Sequence, residues 1–467
     1  MTQQMKWEDL LCRDRFSDDS GSEADPEKAR SIFQRDYDRI IFSSAFRRMQ
    51  DKTQVFPLAE SDYIRTRLTH SLEVASVGRS LGKIVGGRII SSKAPYLTEP
   101  QLDYVAEDFG AIVSAACIAH DIGNPPFGHS GEAAISYWFE NSPLIKKLNL
   151  TDAQRADLLK FEGNAQGFRV ITRLQNLYPS GGMRLSYATL GAFTKYPRQS
   201  LVTRASENGE VQVSGDELKK RISSKKFGFF QKDKESFLDI AKKLKLIPID
   251  GSTYWWCRHP LAYLVEAADD ICYNVIDLED GFKLNYLTFE ETHNLLNPLL
   301  REPLDAVPRL LSKHDKQNHI SFMRSKAIDN LIRLCGDVFM KNYDEIMAGW
   351  LASDLLSLTK LEAPLERISE ASRQKLYRAN SVLQIEITGF ELIGELLDGF
   401  ANAVFHSDSR SKKYVDLLDV HSINYNNSDA DYAKLLQVTD FIAGMTDTYA
   451  MEFYRKIKGI RLAGYPA

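Results

Sequence analysis

His120 and Asp121 stand side by side where an apolar run, Ala111 to Ala119, runs out. Neighbouring helical residues point about 100° apart, so the pair converges only on something at the helix end or off its edge, as a metal ion is. Gly123 is a helix stop and Asn124-Pro125-Pro126 a stiff turn that sends His129 and Glu132 back toward the same place. Two further residues join the pair, His70 and Asp269, and Asp269 heads a row with Tyr273 and Asp277, spaced i, i+4 and i+8 on one helix side. A buried lone carboxylate costs several kcal/mol unless something positive meets it. One divalent cation answers that cost for Asp121 and Asp269 together. Two imidazoles and two carboxylates form a mixed N/O set suited to Mn²⁺, Mg²⁺, Fe²⁺, Co²⁺ or Zn²⁺ and unlike an all-sulfur cage.

The elements that must carry these side chains are mostly helical. Arg30 to Gln50 has helical periodicity, with Arg35, Arg39, Arg47 and Arg48 off its apolar face. Thr53 to Leu58 reads as a short strand or extended link. Arg65 to Ile90 is a helix bearing His70, Leu102 to Ile122 a buried helix ending in the His-Asp pair, and Gly131 to Phe139 a short helix after it. Thr151 to Gln175 reads as two helices broken at Glu162 to Gly167. Residues 200–236 are polar and lysine-rich and fit a β-hairpin or flexible insertion. Leu261 to Asp280, with Pro260 as its first residue, carries Asp269. From residue 286 on, helix dominates. The expected class is mainly α with a few short strands, organised as an N-terminal segment (1–60), a core (61–285) and a C-terminal helical region (286–467) continuous with it.

Composition sets the limits. The 467 residues are 43% apolar and 26% charged, ordinary for a soluble globular protein. A net charge of −4 marks no nucleic-acid or membrane partner. The longest apolar run, Gly110 to Ala119, is about half of what a bilayer requires. Cys12, Cys117, Cys257, Cys272 and Cys335 are odd in number and lack Cys-x-x-Cys spacing, the pattern of reduced thiols in a cytoplasmic protein. His259, His293, His314, His319, His406 and His421 have no such company and are read as ordinary.

The order His70, His120-Asp121, Asp269 resembles the HD-domain metal phosphohydrolases. Longer phrases narrow the likeness: Arg67-Leu-Thr-His-Ser-Leu-Glu-Val74, His120-Asp-Ile-Gly-Asn-Pro-Pro-Phe-Gly-His129, Phe161-Glu-Gly-Asn-Ala-Gln166, Glu266-Ala-Ala-Asp-Asp270, Arg39-Ile-Ile-Phe-Ser-Ser-Ala-Phe-Arg-Arg48, Lys52-Thr-Gln-Val55 and Ala443-Gly-Met-Thr-Asp447. Together they resemble the bacterial deoxyguanosine triphosphate triphosphohydrolases (dGTPases) from about residue 35 to about 455.

The resemblance implies an HD-domain helical core and hydrolysis of a deoxynucleoside triphosphate, dGTP first, at the α-phosphorus, giving a deoxynucleoside and inorganic triphosphate. It implies one divalent ion on His70, His120, Asp121 and Asp269, with Mn²⁺ or Mg²⁺ supporting activity, and a water-positioning, proton-moving pair in His129 and Glu132. It places Arg67 on a phosphate, Asn164 near the reaction centre and, by a looser match, Lys195 on a second phosphate. Tyr273 and Asp277 match residues that pack on the sugar and bond its 3′-hydroxyl. It further implies a homo-hexamer, possible activation by a nucleotide, and contact with single-stranded DNA, for which Arg410 to Lys413 and Lys219 to Lys226 are basic runs. Base-reading groups are sought in Gln50 to Val55 and the C-terminal helices. Three competing readings stand beside it: a dNTP triphosphohydrolase of broad specificity, an HD phosphohydrolase of cyclic dinucleotides or monophosphates, and a nucleotide- or DNA-binding regulator with a weak site.

Overall fold

The computed structural model describes residues 3–17, 30–56, 64–92, 95–98, 104–176, 181–206, 209–249, 251–252, 254–304, 312–405 and 430–460. Helices of seven residues or more are numbered in order. They are α1 (Ile32–Ile41), α2 (Arg67–Ser92), α3 (Ala106–Ala119), α4 (Gly128–Asn141), α5 (Asp152–Leu159), α6 (Gly163–Arg169), α7 (Tyr187–Phe193), α8 (Lys234–Lys243), α9 (Ala262–Lys283), α10 (Phe289–Leu296), α11 (Lys313–Lys341), α12 (Glu362–Lys375), α13 (Asn380–Phe405), α14 (Asp431–Ala443) and α15 (Asp447–Ile457). The expected mainly α class is what the chain adopts. Among the described residues the only sheet is the hairpin β1 (Thr203–Ser206) and β2 (Gly209–Gln212), antiparallel with Arg204 opposite Val211.

Helices α2 and α3 form the central pair. Gly78, Gly82 and Gly86 recur every fourth residue on α2 and face α3; a Cβ on Gly82 would fall 2.7 Å from the Phe109 carbonyl oxygen. This smooth stripe lets the backbones approach, and α3 is buried along nearly its whole length. α9 packs on both, and its first seven residues, Ala262 to Ala268, are buried all round. One large core gathers these helices with α7, α8 and α11. A second cluster joins α4, Phe227 and Phe230 to α13, α14 and α15.

Several boundaries differ from the sequence reading, each for a local reason. The Arg30 to Gln50 helix is interrupted: Ser43 caps a new turn by accepting from the Phe46 amide, so α1 stops at Ile41. Tyr104 and Val105 precede α3 rather than belonging to it. Phe127 adopts a left-handed conformation (φ 61°), which starts α4 at Gly128 and puts His129 on the helix. Glu162 to Gly167 is no break. Glu162 caps α6 and the glycines lie within it, while the interruption falls at Lys160 and Phe161. Pro260 sits two residues ahead of α9. The 200–236 insertion contains the hairpin, but Phe227, Phe229 and Phe230 are buried, so its second half is core and not a flexible flap. Thr53 makes an isolated antiparallel bridge to Thr66. All five cysteines are free thiols, four of them buried. No described helix is long and apolar enough to cross a membrane.

Candidate metal centre

Helix α3 delivers His120 at its C-terminal cap. The ring Nδ1 lies 2.7 Å from the Cys117 carbonyl oxygen. A carbonyl only accepts, so Nδ1 carries a proton and Nε2 is the ring nitrogen turned toward the site. Helix α2 supplies buried His70, whose Nε2 lies 3.2 Å from Asp269 Oδ1 on α9. His120 Nε2 lies 3.4 Å from both Asp269 Oδ1 and Asp121 Oδ2. His70, His120 and Asp121 each offer one ligand atom within 4.8 Å of the others. Three separate helices therefore bring the four side chains to one point.

The register of α2 against α9 is held by Arg65. Its guanidinium donates to Glu73 at 2.8 Å, to Glu279 at 2.8 Å and to Asp280. Charge-assisted bonds of this kind fix geometry as well as energy. The close approach of α6 comes from two glycines. A Cβ on Gly123 would lie 2.0 Å from the Gly167 nitrogen, and one on Gly163 would lie 2.1 Å from Asn124 Oδ1. α6 can therefore touch the turn after His120, and the Gly163 amide donates to Glu132 Oε1 at 2.7 Å.

Electrostatics of the centre are balanced within the chain. Arg67 Nη1 donates to Asp121 Oδ2 at 2.6 Å and Asn124 Nδ2 to Asp121 Oδ1 at 2.6 Å. Lys195 Nζ donates to Asp269 Oδ2 at 2.7 Å. Burial alone would raise both carboxyls. Arg67 and His120 hold Asp121 well below the usual carboxylate range, and Lys195 and His120 do the same for Asp269. Burial opposes the imidazolium of His120, but Asp121 and Asp269 outweigh it and push the ring up to about 10. Lys195 is itself fixed, because Arg258, bound to Glu266, donates to its carbonyl at 2.6 Å.

Beside the centre is a cavity of about 600 Å³. Arg67, His120, Asp121, His129, Asn164, Lys195, Asp269 and Tyr273 line it. His129 Nδ1 lies 2.7 Å from Glu132 Oε2, which forms the expected pair; this bond raises His129. Burial opposes the charge on Glu132, yet His129 and Lys226 keep its carboxyl low. Asn164 donates to Glu162 at 2.6 Å. Asp277 is not among the lining residues. It lies behind Tyr377, accepts that hydroxyl at 2.8 Å, and burial pushes it up to about 8.

Tyr377, not named from the sequence, and parts of two segments named there for other roles also line the cavity. Tyr377 stacks on Tyr273 with ring centres 5.6 Å apart. Lys225 and Lys226 belong to the basic run Lys219 to Lys226, yet they face the cavity, and Lys226 pairs with Glu162 at 3.0 Å. Thr53, Gln54 and Val55 line it from the segment suggested for base reading. Gln54 Oε1 and Arg67 Nε are buried without a hydrogen-bond partner among the described residues. Gln54 falls within the segment Gln50 to Val55 that the sequence offered for base reading, whereas Tyr377 lies too far along the chain to associate with Asp269 by spacing. The basic run Arg410 to Lys413 lies outside the described residues.

Residues 67–156 match the HD domain family, and residues 359–456 match the phosphohydrolase-associated domain. The chain is 40% identical to a deoxyguanosinetriphosphate triphosphohydrolase-like protein of Synechocystis, over 98% of this chain and 100% of the relative. It is 41% identical to a protein of the same description from Pseudomonas aeruginosa (97% and 99% covered). It is 31% identical to the deoxyguanosinetriphosphate triphosphohydrolase of Salmonella typhimurium (96% and 97%). Near-complete coverage at these identities, on a helical frame that gathers a His/Asp centre beside a cavity, places the chain among the metal-dependent phosphohydrolases, and it belongs to the dGTPase family of HD-domain proteins.

Proposed function

We propose that the protein hydrolyses a deoxynucleoside triphosphate, most favourably dGTP, at the α-phosphorus, releasing the deoxynucleoside and inorganic triphosphate. The observation that carries this reading is that His129, backed by its bond to Glu132, and the cationic Arg67, Lys195, Lys225 and Lys226 line one cavity together with His120, Asp121 and Asp269. His70, His120, Asp121 and Asp269 fit a divalent ion: the donors are mixed N/O, they converge, and His120 has its Nδ1 proton committed to a carbonyl. Bound there, a Mn²⁺ or Mg²⁺ ion supplies Lewis-acid polarisation of a phosphoryl oxygen.

The remaining work falls to this chain's own groups. Glu132, oriented by the Gly163 amide, holds His129 in one tautomer and stabilises its charged form. His129 positions a water and takes its proton as the oxygen attacks phosphorus. The P–O5′ bond breaks, the nucleoside oxygen collects a proton, and the water oxygen leaves in the triphosphate. Arg67 and Lys195 pair with Asp121 and Asp269, and with a divalent ion held by those carboxylates the two cations would be available to phosphate oxygens. Lys226 adds a third positive charge. The Tyr273–Tyr377 stack closes one wall where a sugar would lie, so that a 2′-hydroxyl is excluded by lack of space. Gln54 Oε1 is an acceptor in want of a donor from the nucleoside.

The test is incubation of purified protein with each of the four dNTPs, singly and mixed, and with GTP, in Mn²⁺ or Mg²⁺. Products are resolved by ion chromatography. Triphosphate is expected; orthophosphate or pyrophosphate would contradict the assigned bond, and binding without turnover would favour a regulator.

A further inference from the structure

Two short phrases in the chain lie almost four hundred residues apart, and the chemistry above uses neither as a whole: Lys52-Thr-Gln-Val55 and Ala443-Gly-Met-Thr-Asp447. In the fold they meet. Asp447, 1% exposed at the start of α15, accepts the Thr53 amide at 2.9 Å and the Thr53 hydroxyl at 2.5 Å on Oδ2. Its Oδ1 accepts the Phe127 amide at 2.9 Å. Lys52, 3% exposed, donates from Nζ to the Ala443 carbonyl at 2.8 Å and to the Asn124 carbonyl at 2.6 Å. Thr448 adds a bond to Asp51 at 2.8 Å.

The segments held this way matter to the cavity. Thr53, Gln54 and Val55 form one wall, and Asn124, Phe127 and Gly128 form part of another. Phe127 is held at φ 61°, in the left-handed region that non-glycine residues rarely adopt. The groups that hold it come from the C-terminal region: Asp447 on its amide, and Gly389 of α13 against its ring, where a Cβ would lie 2.5 Å from Phe127 Cγ. Asn124, tethered by Lys52, is also the residue whose amide holds Asp121 Oδ1. Burial pulls the Lys52 ammonium down to about 7 while the Asp447 carboxylate opposes that pull, so the two buried charges serve each other.

We propose that Asp447 and Lys52 are positioning residues: Asp447 sets the spacing of the two cavity walls, and Lys52 transmits the hold of the C-terminal region through Asn124 to the Asp121 carboxylate. This rests on the cavity's being the nucleotide site. The two residues should have separable effects. Asp447→Asn keeps the volume but leaves a single acceptor oxygen, so it can serve Thr53 or Phe127 and not both. Lys52→Met keeps the stem and removes both donated bonds.

The experiment compares full-length wild type, Asp447→Asn, Asp447→Ala, Lys52→Met and Thr53→Val at temperatures where each is fully folded. Asp447→Asn is expected to raise KM for the hydrolysed dNTP about tenfold with kcat changed less than threefold, and to leave Mn²⁺ affinity as in wild type. Lys52→Met is expected to weaken Mn²⁺ binding about tenfold, with a fall in kcat. Thr53→Val should give a smaller KM effect in the same direction. Hydrogen exchange supplies a readout that needs no substrate. The amides of 53–55 and 124–128 should lose protection in Asp447→Asn while α2 and α3 keep theirs. Unchanged KM in the folded variant overturns the proposal, as does a loss of protection spread evenly over the molecule. If the wild type hydrolyses no dNTP, the functional reading fails by itself, and the exchange and Mn²⁺ measurements still decide for or against the clamp.

Discussion

Loading the centre should release a proton, and the amount can be worked from the metal-free geometry. In that state His120 is pushed up to about 10 by Asp121 and Asp269, against the effect of burial. Its Nδ1–H is committed to Cys117, so the extra proton sits on Nε2, the atom that would face the proposed ion. At about pH 7.5 the ring still holds that proton, and an ion must displace it, a competition on the order of a few kcal/mol. Apparent Mn²⁺ affinity should therefore rise about tenfold per pH unit between roughly pH 7 and pH 9, with about one proton released per ion bound. Calorimetric titration of chelator-stripped protein, in buffers of different ionisation enthalpy, measures both quantities. The same shift has a consequence for folding. Because His120 is raised in the folded state, it stabilises the metal-free chain fully below its unfolded value of about 6.5 and loses this contribution as pH rises toward about 10. The melting temperature of stripped protein should fall across that window, and that of Mn²⁺-loaded protein should not fall with it. Affinity independent of pH, with no proton released, would refute the arrangement of imidazole and carboxylates described here.

Glu132→Ala is expected to keep the ion and the nucleotide but to lose turnover by about 10²–10⁴-fold, as removal of general-base support requires; near-normal triphosphate release would remove Glu132 from its role. His129 is raised by its bond to Glu132, so the acid limb of kcat/KM should lie above the ordinary imidazole value of about 6.5 and move to lower pH in Glu132→Gln, with residual rates read over long incubations. Tyr377→Leu opens the wall facing Tyr273 and should lower the ratio of dGTP to GTP turnover at least tenfold, about 1.4 kcal/mol; an unchanged ratio would place sugar selection elsewhere. Arg65→Met leaves Glu279 and Asp280 buried with less compensation and should destabilise by about 3 kcal/mol, read from denaturant unfolding; a change below about 0.5 kcal/mol would show the network to be ornamental.

The helices, their order and the four groups of the centre were legible in the chain. Each of His70, His120, Asp121 and Asp269 sits on an otherwise apolar segment, and an apolar helix leaves few places for a charge except at a purposeful site. The phrases around Asn164 and Glu132 proposed them as site residues, and the fold puts Asn164 on the cavity and bonds Glu132 to His129; the close fit of α6 is written in Gly123 and Gly163. What periodicity misjudged were ends and breaks. Ser43 and Glu162 cap helices where the apolar pattern runs straight through, and the left-handed Phe127 is set by a carboxylate 320 residues away.

Tertiary structure alone decided three things. It paired Arg67 with Asp121 and Lys195 with Asp269, balancing the charge of the unliganded centre; ion pairing depends on distance in space, which spacing along the chain does not encode. It moved Asp277 behind Tyr377 and brought Tyr377 and Lys226 to the cavity, because a residue faces a cavity by virtue of what packs behind it. And it joined Lys52 to Ala443 and Asp447 to Phe127, contacts that become favourable only after the core has covered the loop-closure entropy between them. Residue types set what chemistry this chain can do; packing set which atoms are near enough to do it.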